Sequence, residues 1–316
     1  MDPFLRILYI LLSLLFCTCC LSFQPAHVLI KSLVEDEECF TSEMGAQTFI
    51  DACATNILFE DCYEPQPFVG RQAVLNLLQN KIAMRQGKGR VRCDFISDGT
   101  SACGFAWTWV CGDVEGLRGT TYVELNQNGQ IVYVREIPEP IFKPGDLTVE
   151  LLKTITRGAE PNQKVSFQEK QPNEASAIVK YLFNEVQGQD VELAMKFFSN
   201  DVVYRDFNYE NMLCGKDEVK KFIQDFSFPG IRFNAQRFDD GVFSSCFTWE
   251  VVLMDAPDTI KGISFYQLDK ESRLISYVRD VPESAIKPPI LGKLARLMRP
   301  GLGVFIGSKV GSRDPR

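Results

Sequence analysis

The chain repeats itself once, and that repeat limits its folding more than any other feature. Phe59-Glu60-Asp61, Gly70-Arg71 and Val74 return as Tyr204-Arg205-Asp206, Gly215-Lys216 and Val219, each 145 residues later. Asp98-Gly99 and Trp107 return as Asp240-Gly241 and Trp249, and Gly119, Tyr122 and Leu125 as Gly262, Phe265 and Leu268. Tyr133-Val134-Arg135-Glu136 with Pro138-Glu139 is answered by Tyr277-Val278-Arg279-Asp280 with Pro282-Glu283, and Lys143-Pro144 by Lys287-Pro288. A unit of roughly 115 residues is too long for a solenoid repeat and fits a duplicated domain. In 316 residues that means two domains.

Each unit reads helices first, strands second. In the second, Ala175, Ile178, Val179 and Leu182 predict a helix over 174–186, a short one follows over 191–198, and Val219, Phe222 and Ile223 mark a third over 216–226. Strands are expected at 202–206, 231–239, 243–253, 260–268 and 273–281. The first unit answers with runs near 90–97, 102–111, 117–125 and 129–137, its opening helices falling within 28–55. Asp98-Gly99 and Asn128-Gly129 are hairpin-turn sequences. Short helices beside an antiparallel sheet give an α+β class.

Strand alternation adds the packing. Along 103–111 every second residue is large or apolar (Cys103, Phe105, Trp107, Trp109, Cys111), and the residues between are small (Gly104, Ala106, Thr108). Phe243, Ser245, Phe247, Trp249 and Val251, mostly large, alternate with Ser244, Cys246 and Thr248 in the same way. A sheet apolar on both faces needs two covers. The helices supply one, and the other unit is expected to supply the second, making an internal pseudo-dimer.

Forty-one acids against 34 bases give a formal charge of −7, the wrong sign for a protein that wraps nucleic acid, so no such partner is expected. The single histidine, His27, leaves the folded units without Ser-His-Asp, Cys-His or His-rich metal chemistry. No CxxC stands outside the leader, and GKGR (87–90) lacks the spacing and trailing hydroxyl of a phosphate loop, so no cofactor is expected. Cys93 and Cys103 flank the Asp98-Gly99 turn and could approach across a hairpin; free buried thiols are the favoured alternative.

Residues 7–16, ILYILLSLLF behind Arg6, read as the apolar core of a signal peptide ending at Ser22. The rival is a membrane anchor, but 7–22 falls short of the about 20 residues that a span needs. Phe23-Gln24-Pro25-Ala26 directly after such a leader resembles the two-part plastid address of diatoms and related algae. A plastid location is therefore expected, with secretion or an endomembrane lumen as the alternative. The expected order is a leader at 1–22, a transit-like segment at 23–32, a first domain at 33–145, a helix and linker at 146–173, a second domain at 174–290 and a basic amphipathic tail at 291–316. From Lys287 to Arg316 there are seven bases and one acid. This stretch is expected to meet a membrane surface, a protein partner or the acidic body of the chain itself.

The order helix, helix, strand, helix, then a hairpin-connected sheet resembles the NTF2-like fold and specifically its SnoaL-like branch. VELAMKFFSNDVVYRDF (191–207) followed by Gly215-Lys216 is the most similar piece, and LFEDCY (58–63) with Gly70-Arg71 is its counterpart; the resemblance covers about 33–145 and 174–290. The tandem form, with its Pro-Glu and Lys-Pro exits, also resembles uncharacterised plastid proteins of plants and algae. The resemblance implies two cone-shaped domains, each a curved antiparallel sheet with three helices around a cavity. Its members include steroid isomerases, polyketide cyclases, dehydratases, pigment or protein binders and scaffolds, so the fold does not choose among them.

By that resemblance Asp61 and Asp206 align with the general base of the isomerase-like members, and Tyr181 could add an inward hydroxyl. A carboxylate in an apolar cone has a raised proton affinity, which suits enolisation. Such members also use a tyrosine and a second acid on a late strand. Tyr133 and Tyr277 are available, but Val134-Arg135 and Val278-Arg279 stand where the acid is sought. Arg135 and Arg279 share strand parity with those tyrosines and need a carboxylate, so a structural lock to Asp61 and Asp206 is expected, with ligand binding as the alternative. Trp107, Trp249, Tyr63, Tyr204 and Phe207 are candidate pocket walls for a small apolar molecule. With the catalytic set incomplete, the leading expectation is a non-catalytic binding or scaffold module. The alternative is a cofactor-independent isomerase, cyclase or dehydratase using Asp61 or Asp206.

Overall fold

A computed structural model of the chain describes residues 24–85, 88–160, 166–253 and 259–284; the leader at 1–22 and the tail at 291–316 lie outside the described residues. The first unit runs α1 (Ala26–Glu35), α2 (Glu43–Ala52), β1 (Cys53–Asp61), β2 (Phe68–Val69), α3 (Arg71–Arg85), β3 (Arg90–Ile96), β4 (Ala102–Cys111), β5 (Val114–Leu125) and β6 (Ile131–Pro138). After α4 (Asp146–Ile155) the second unit repeats the order. Its elements are α5 (Ala175–Tyr181, continued by a π-turn Leu182–Val186), α6 (Val191–Met195), β7 (Phe198–Asp206), β8 (Leu213–Cys214), α7 (Lys216–Phe226), β9 (Ile231–Phe238), β10 (Ser244–Leu253), β11 (Ile260–Leu268) and β12 (Ile275–Pro282).

Both units build a six-stranded sheet of one order, β2-β1-β6-β5-β4-β3 and β8-β7-β12-β11-β10-β9. Two expectations need correction. The sheets are mixed, because β1 runs parallel to β6 and β7 to β12. Those pairs are joined through the rest of the unit, whereas the others are hairpin-connected and antiparallel. Nor does either sheet close into a cone, since the end strands of each order do not bond to one another. In α1, Ala26, Ile30, Leu33 and Val34 recur at helical spacing and are buried, so this helix supplies part of the first core. The eight cysteines among the described residues are free thiols, and Cys93 pairs across the ladder with Trp107 rather than Cys103.

One face of each sheet packs on its own helices. There Trp107 donates its indole N–H to Thr121 Oγ1 at 3.0 Å, and Trp249 to Ser264 Oγ at 2.7 Å. Each indole lies over the glycine paired with it on the next strand. A Cβ at Gly119 would fall 2.4 Å from the Trp107 ring, and one at Gly262 only 2.0 Å from Trp249. The recurring Trp and Gly thus form one packing unit, made twice.

The opposite faces meet each other, as the alternation required. Ala102, Tyr122, Tyr133 and Ile137 of the first unit share one buried cluster with Phe207, Cys246, Ile263, Phe265, Tyr277 and Val281 of the second. The two Asp-Gly turns clasp reciprocally across this seam. Asp98 accepts the backbone N–H groups of Val242, Phe243 and Ser244 at 3.0–3.2 Å. Asp240 accepts those of Thr100 and Ser101 at 2.7 and 3.0 Å. The contact is self-complementary in the manner of a two-fold dimer, within a single chain.

Candidate active site

The parallel pairing of β1 with β6 and of β7 with β12 sets two carboxyls side by side in each unit. Asp61 stands in register with Glu136, and Asp206 with Asp280. Because side chains alternate, these acids face the helices while Arg135 and Arg279, one residue earlier, face the other sheet.

In the first unit a cation closes the pair. Lys81 of α3 places Nζ 3.0 Å from Asp61 Oδ2 and donates to Glu136 Oε1, and all three side chains are largely buried. Asp61 also accepts the Tyr63 N–H at 3.0 Å. A cavity of about 40 Å³ remains beside Lys81, Glu136, Trp107 and Trp109.

The second unit has the acids without that cation. Gly70 and Val74 correspond to Gly215 and Val219, which puts Phe226 at the helix position of Lys81. Among the described residues no lysine or arginine forms an ion pair with Asp206 or Asp280. Lys143 lies near Asp206, but its ammonium is bound to Glu139 at 2.8 Å. Asp280 accepts hydroxyl hydrogen bonds from Tyr204 and Ser264, and Tyr266 bonds to Tyr204. Asp206 accepts the Asn208 N–H at 2.7 Å. Phe222 packs 5.3 Å from Tyr204 and 4.8 Å from Phe226, so the surroundings are aromatic.

This setting changes the acids. Burial, then the facing Asp280, pushes Asp206 up to about 7 against the opposing pull of the Asn208 N–H and Lys143. Burial pushes Asp280 up to about 6 against the Ser264 and Tyr204 donors. Burial and the Asp280 charge drive the Tyr204 and Tyr266 phenols far upward, so both remain hydroxyl donors. Two facing carboxyls that titrate near neutrality can hold a proton between them, one acting as base while the other is held by hydroxyls. Among the described residues no group of three or more His, Cys, Asp and Glu side chains is placed to hold a metal ion.

Of the residues singled out from sequence, Asp206, Tyr204 and Trp249 come together at this site, and Asp61 and Trp107 at its first-unit counterpart. The others do not. Tyr181 donates its hydroxyl to Gln168 O at 3.1 Å and accepts from the Lys170 N–H at 3.3 Å, anchoring the linker. Tyr63 sits half-buried in the turn after β1. Tyr133, Tyr277 and Phe207 lie in the seam. The expected Arg–Asp locks are replaced by contacts in that seam. Arg135 pairs with Glu60 at 2.7 Å and donates to Trp249 O of the other unit at 3.2 Å. Arg279 donates to Thr120 Oγ1 at 2.9 Å and lies 4.1 Å above the Phe207 ring. Asp280, Glu136, Lys81, Ser264 and Tyr266 were not anticipated. Parity could have found the acids, because each stands one residue after its arginine, on the face of Val134 or Val278.

No family model matches the chain, and no curated protein matches it. Among solved structures it is similar to a candidate ketosteroid isomerase of Kribbella flavida, at 22% identity over 36% of this chain and 81% of that one, with a TM-score of 0.31. It is similar to a candidate isomerase of the SnoaL-like family from Agrobacterium tumefaciens, at 19% identity over 34% and 96% of the two chains, TM-score 0.29. A third is SalBIII, an epoxide hydrolase/cyclase-like enzyme of pyran ring formation in the polyether salinomycin, at 15% identity over 34% and 88%, TM-score 0.29. The expectation of a non-catalytic binding or scaffold module is corrected on the geometry of the second unit, which holds facing carboxyls that no lysine or arginine among the described residues ion-pairs, an arrangement that a scaffold does not require. Each of these matches covers about a third of this chain.

Proposed function

We propose that the chain is a tandem SnoaL-like, NTF2-like protein whose second unit is a cofactor-independent isomerase, cyclase or dehydratase. The observation that carries this reading is the Asp206–Asp280 pair, in register, half-buried and poised near neutrality beside Tyr204. Asp206 serves as the base. It takes a proton from carbon beside a carbonyl, the C–H pair passes into an enolate, and the same carboxyl returns the proton to a different carbon. The Tyr204 and Tyr266 hydroxyls, kept protonated, are the nearby donors for the developing oxyanion. A base near 7 matches its working pH, which favours both abstraction and return.

The test is conversion of 3-cyclohexen-1-one and larger β,γ-unsaturated ketones to conjugated enones, followed by ultraviolet absorbance from pH 5 to 9. The rate is expected to rise through pH about 7 as Asp206 ionises. Asp206→Asn is expected to cost about 10²–10⁴-fold, while Asp61→Asn retains turnover. Enone formation by the native protein no faster than by Asp206→Asn at every pH contradicts the proposal.

A further inference from the structure

The helix that joins the two units, α4, is apolar on two sides. Val149, Leu152 and Thr156 are buried, and Leu152 belongs to the core of the second unit. Thr148 donates to Asn208 Oδ1 at 3.1 Å, and Lys153 lies 5.6 Å over the Phe228 ring, so the helix is seated on that unit. On the other side Leu147, Leu151 and Ile155 follow one another at a spacing of four residues, which sets them in one stripe. They are 64, 58 and 48% exposed, and Ile141 and Phe142, just before the helix, are exposed as well. These five are half of the ten large hydrophobic side chains exposed among the described residues, and all lie within 141–155. Scattered exposed leucines need no explanation, but a gathered stripe marks a docking surface.

The charges beside the stripe choose its occupant. Glu150 and Arg157 stand seven residues apart, hence on one flank of the helix, and are opposite in sign. Both are exposed, and among the described residues neither forms an ion pair. From Asp146 to Arg157 the two acids Asp146 and Glu150 balance the two bases Lys153 and Arg157, so the segment has no net attraction for an anionic membrane surface. A second copy of the same helix, laid antiparallel, fits the pattern. The partner's Arg157 then falls beside Glu150, and by two-fold symmetry the partner's Glu150 falls beside Arg157. The same register sets Leu151 beside the partner's Ile155, so charge and apolar complementarity agree.

We propose that the outer face of α4 is a self-association surface, on which a second copy of this chain docks its own α4 antiparallel about a two-fold axis. The sheet faces are already spent on the contact between the two units within the chain. The linking helix is left as the apolar surface through which whole chains meet. The pairing goes beyond the reaction proposed for Asp206 and does not depend on it.

Sedimentation velocity of the full chain from about 1 to 100 µM tests it. A monomer–dimer equilibrium is expected, weak because one helix face makes a small interface. Leu151→Glu is expected to weaken the dimer about tenfold or more, with the unfolding midpoint kept because Leu151 is exposed. Glu150→Arg alone and Arg157→Glu alone are each expected to weaken it about tenfold, since like charges then meet across the two-fold. Mixing those two variants is expected to restore association, because opposite charges face each other again at both pairs. A native chain that stays monomeric throughout overturns the proposal. So does a dimer that Leu151→Glu leaves intact, or a mixture no tighter than either variant alone. Capture of a monomeric native chain by anionic phosphatidylserine vesicles, lost in Leu151→Glu, overturns it in favour of a membrane surface.

Discussion

The first and second units share one strand order, one Trp-over-Gly packing unit and one pair of in-register carboxyls, yet they treat those carboxyls oppositely. In the first, Lys81 reaches down from α3 and binds both acids. In the second, the same helix position is Phe226, and among the described residues Asp280 is held by hydroxyls and Asp206 by the Asn208 N–H, with no lysine or arginine ion-paired to either. One position on one helix thus separates an ion-paired cluster from a pair of carboxyls that burial pushes upward. A duplicated fold can keep its architecture in both copies while assigning chemistry to one, because the sheet sets where the carboxyls stand and the covering helix sets their charge.

The largest expected effect comes from removing the cation that distinguishes the first unit. Lys81→Met leaves Asp61 and Glu136 facing each other without it, and should cost about 3–5 kcal/mol, read from urea unfolding at pH 7. A loss below 1 kcal/mol would mean that the two acid pairs are not differently balanced. Next come the clasping turns, where the units are nearly but not fully equivalent. Asp98→Ala gives up three backbone N–H partners and should cost about 2–3 kcal/mol; Asp240→Ala gives up two and should cost about 1 kcal/mol less. Equal losses would place the seam's strength elsewhere.

The effect at Asp206 carries a sign. Asp206 is raised from 3.8 to about 7 in the fold, so the native state holds an extra proton between those values. Stability from this group is complete below pH 4 and falls as pH rises toward 7. Asp206→Asn should therefore stabilise the protein by on the order of 2 kcal/mol at pH 8, discounting for its half-burial, and by little at pH 4. Destabilisation at pH 8 would show that Asp206 is held as a carboxylate.

Architecture was legible in the sequence because duplication displays it twice. The strand runs at 102–111 and 260–268 coincide with β4 and β11, and the period-two alternation foretold that each sheet would be covered on both faces. The site was legible only in part. Asp61 and Asp206 could be picked out as candidates, but a one-residue step decides which face a strand residue serves. Attention to Arg135 and Arg279 therefore hid Glu136 and Asp280 immediately beside them. Lys81 gave no local signal, since its partners lie 20 and 55 residues away and meet it only through the parallel pairing of β1 with β6. The π-turn after α5 had no pattern of its own, and the helical spacing simply ran through it.

The proposed chemistry requires that no cation is ion-paired to the carboxyls of the second unit, and carboxyl-carbon NMR titration of protein labelled at aspartate measures this most directly. Asp206 and Asp280 should titrate with apparent values near 7 and 6 in the native chain. Both should fall below 5 in Phe226→Lys, where the first unit's ammonium is copied into the second. Native resonances that titrate entirely near 4, or that do not move in Phe226→Lys, would contradict it.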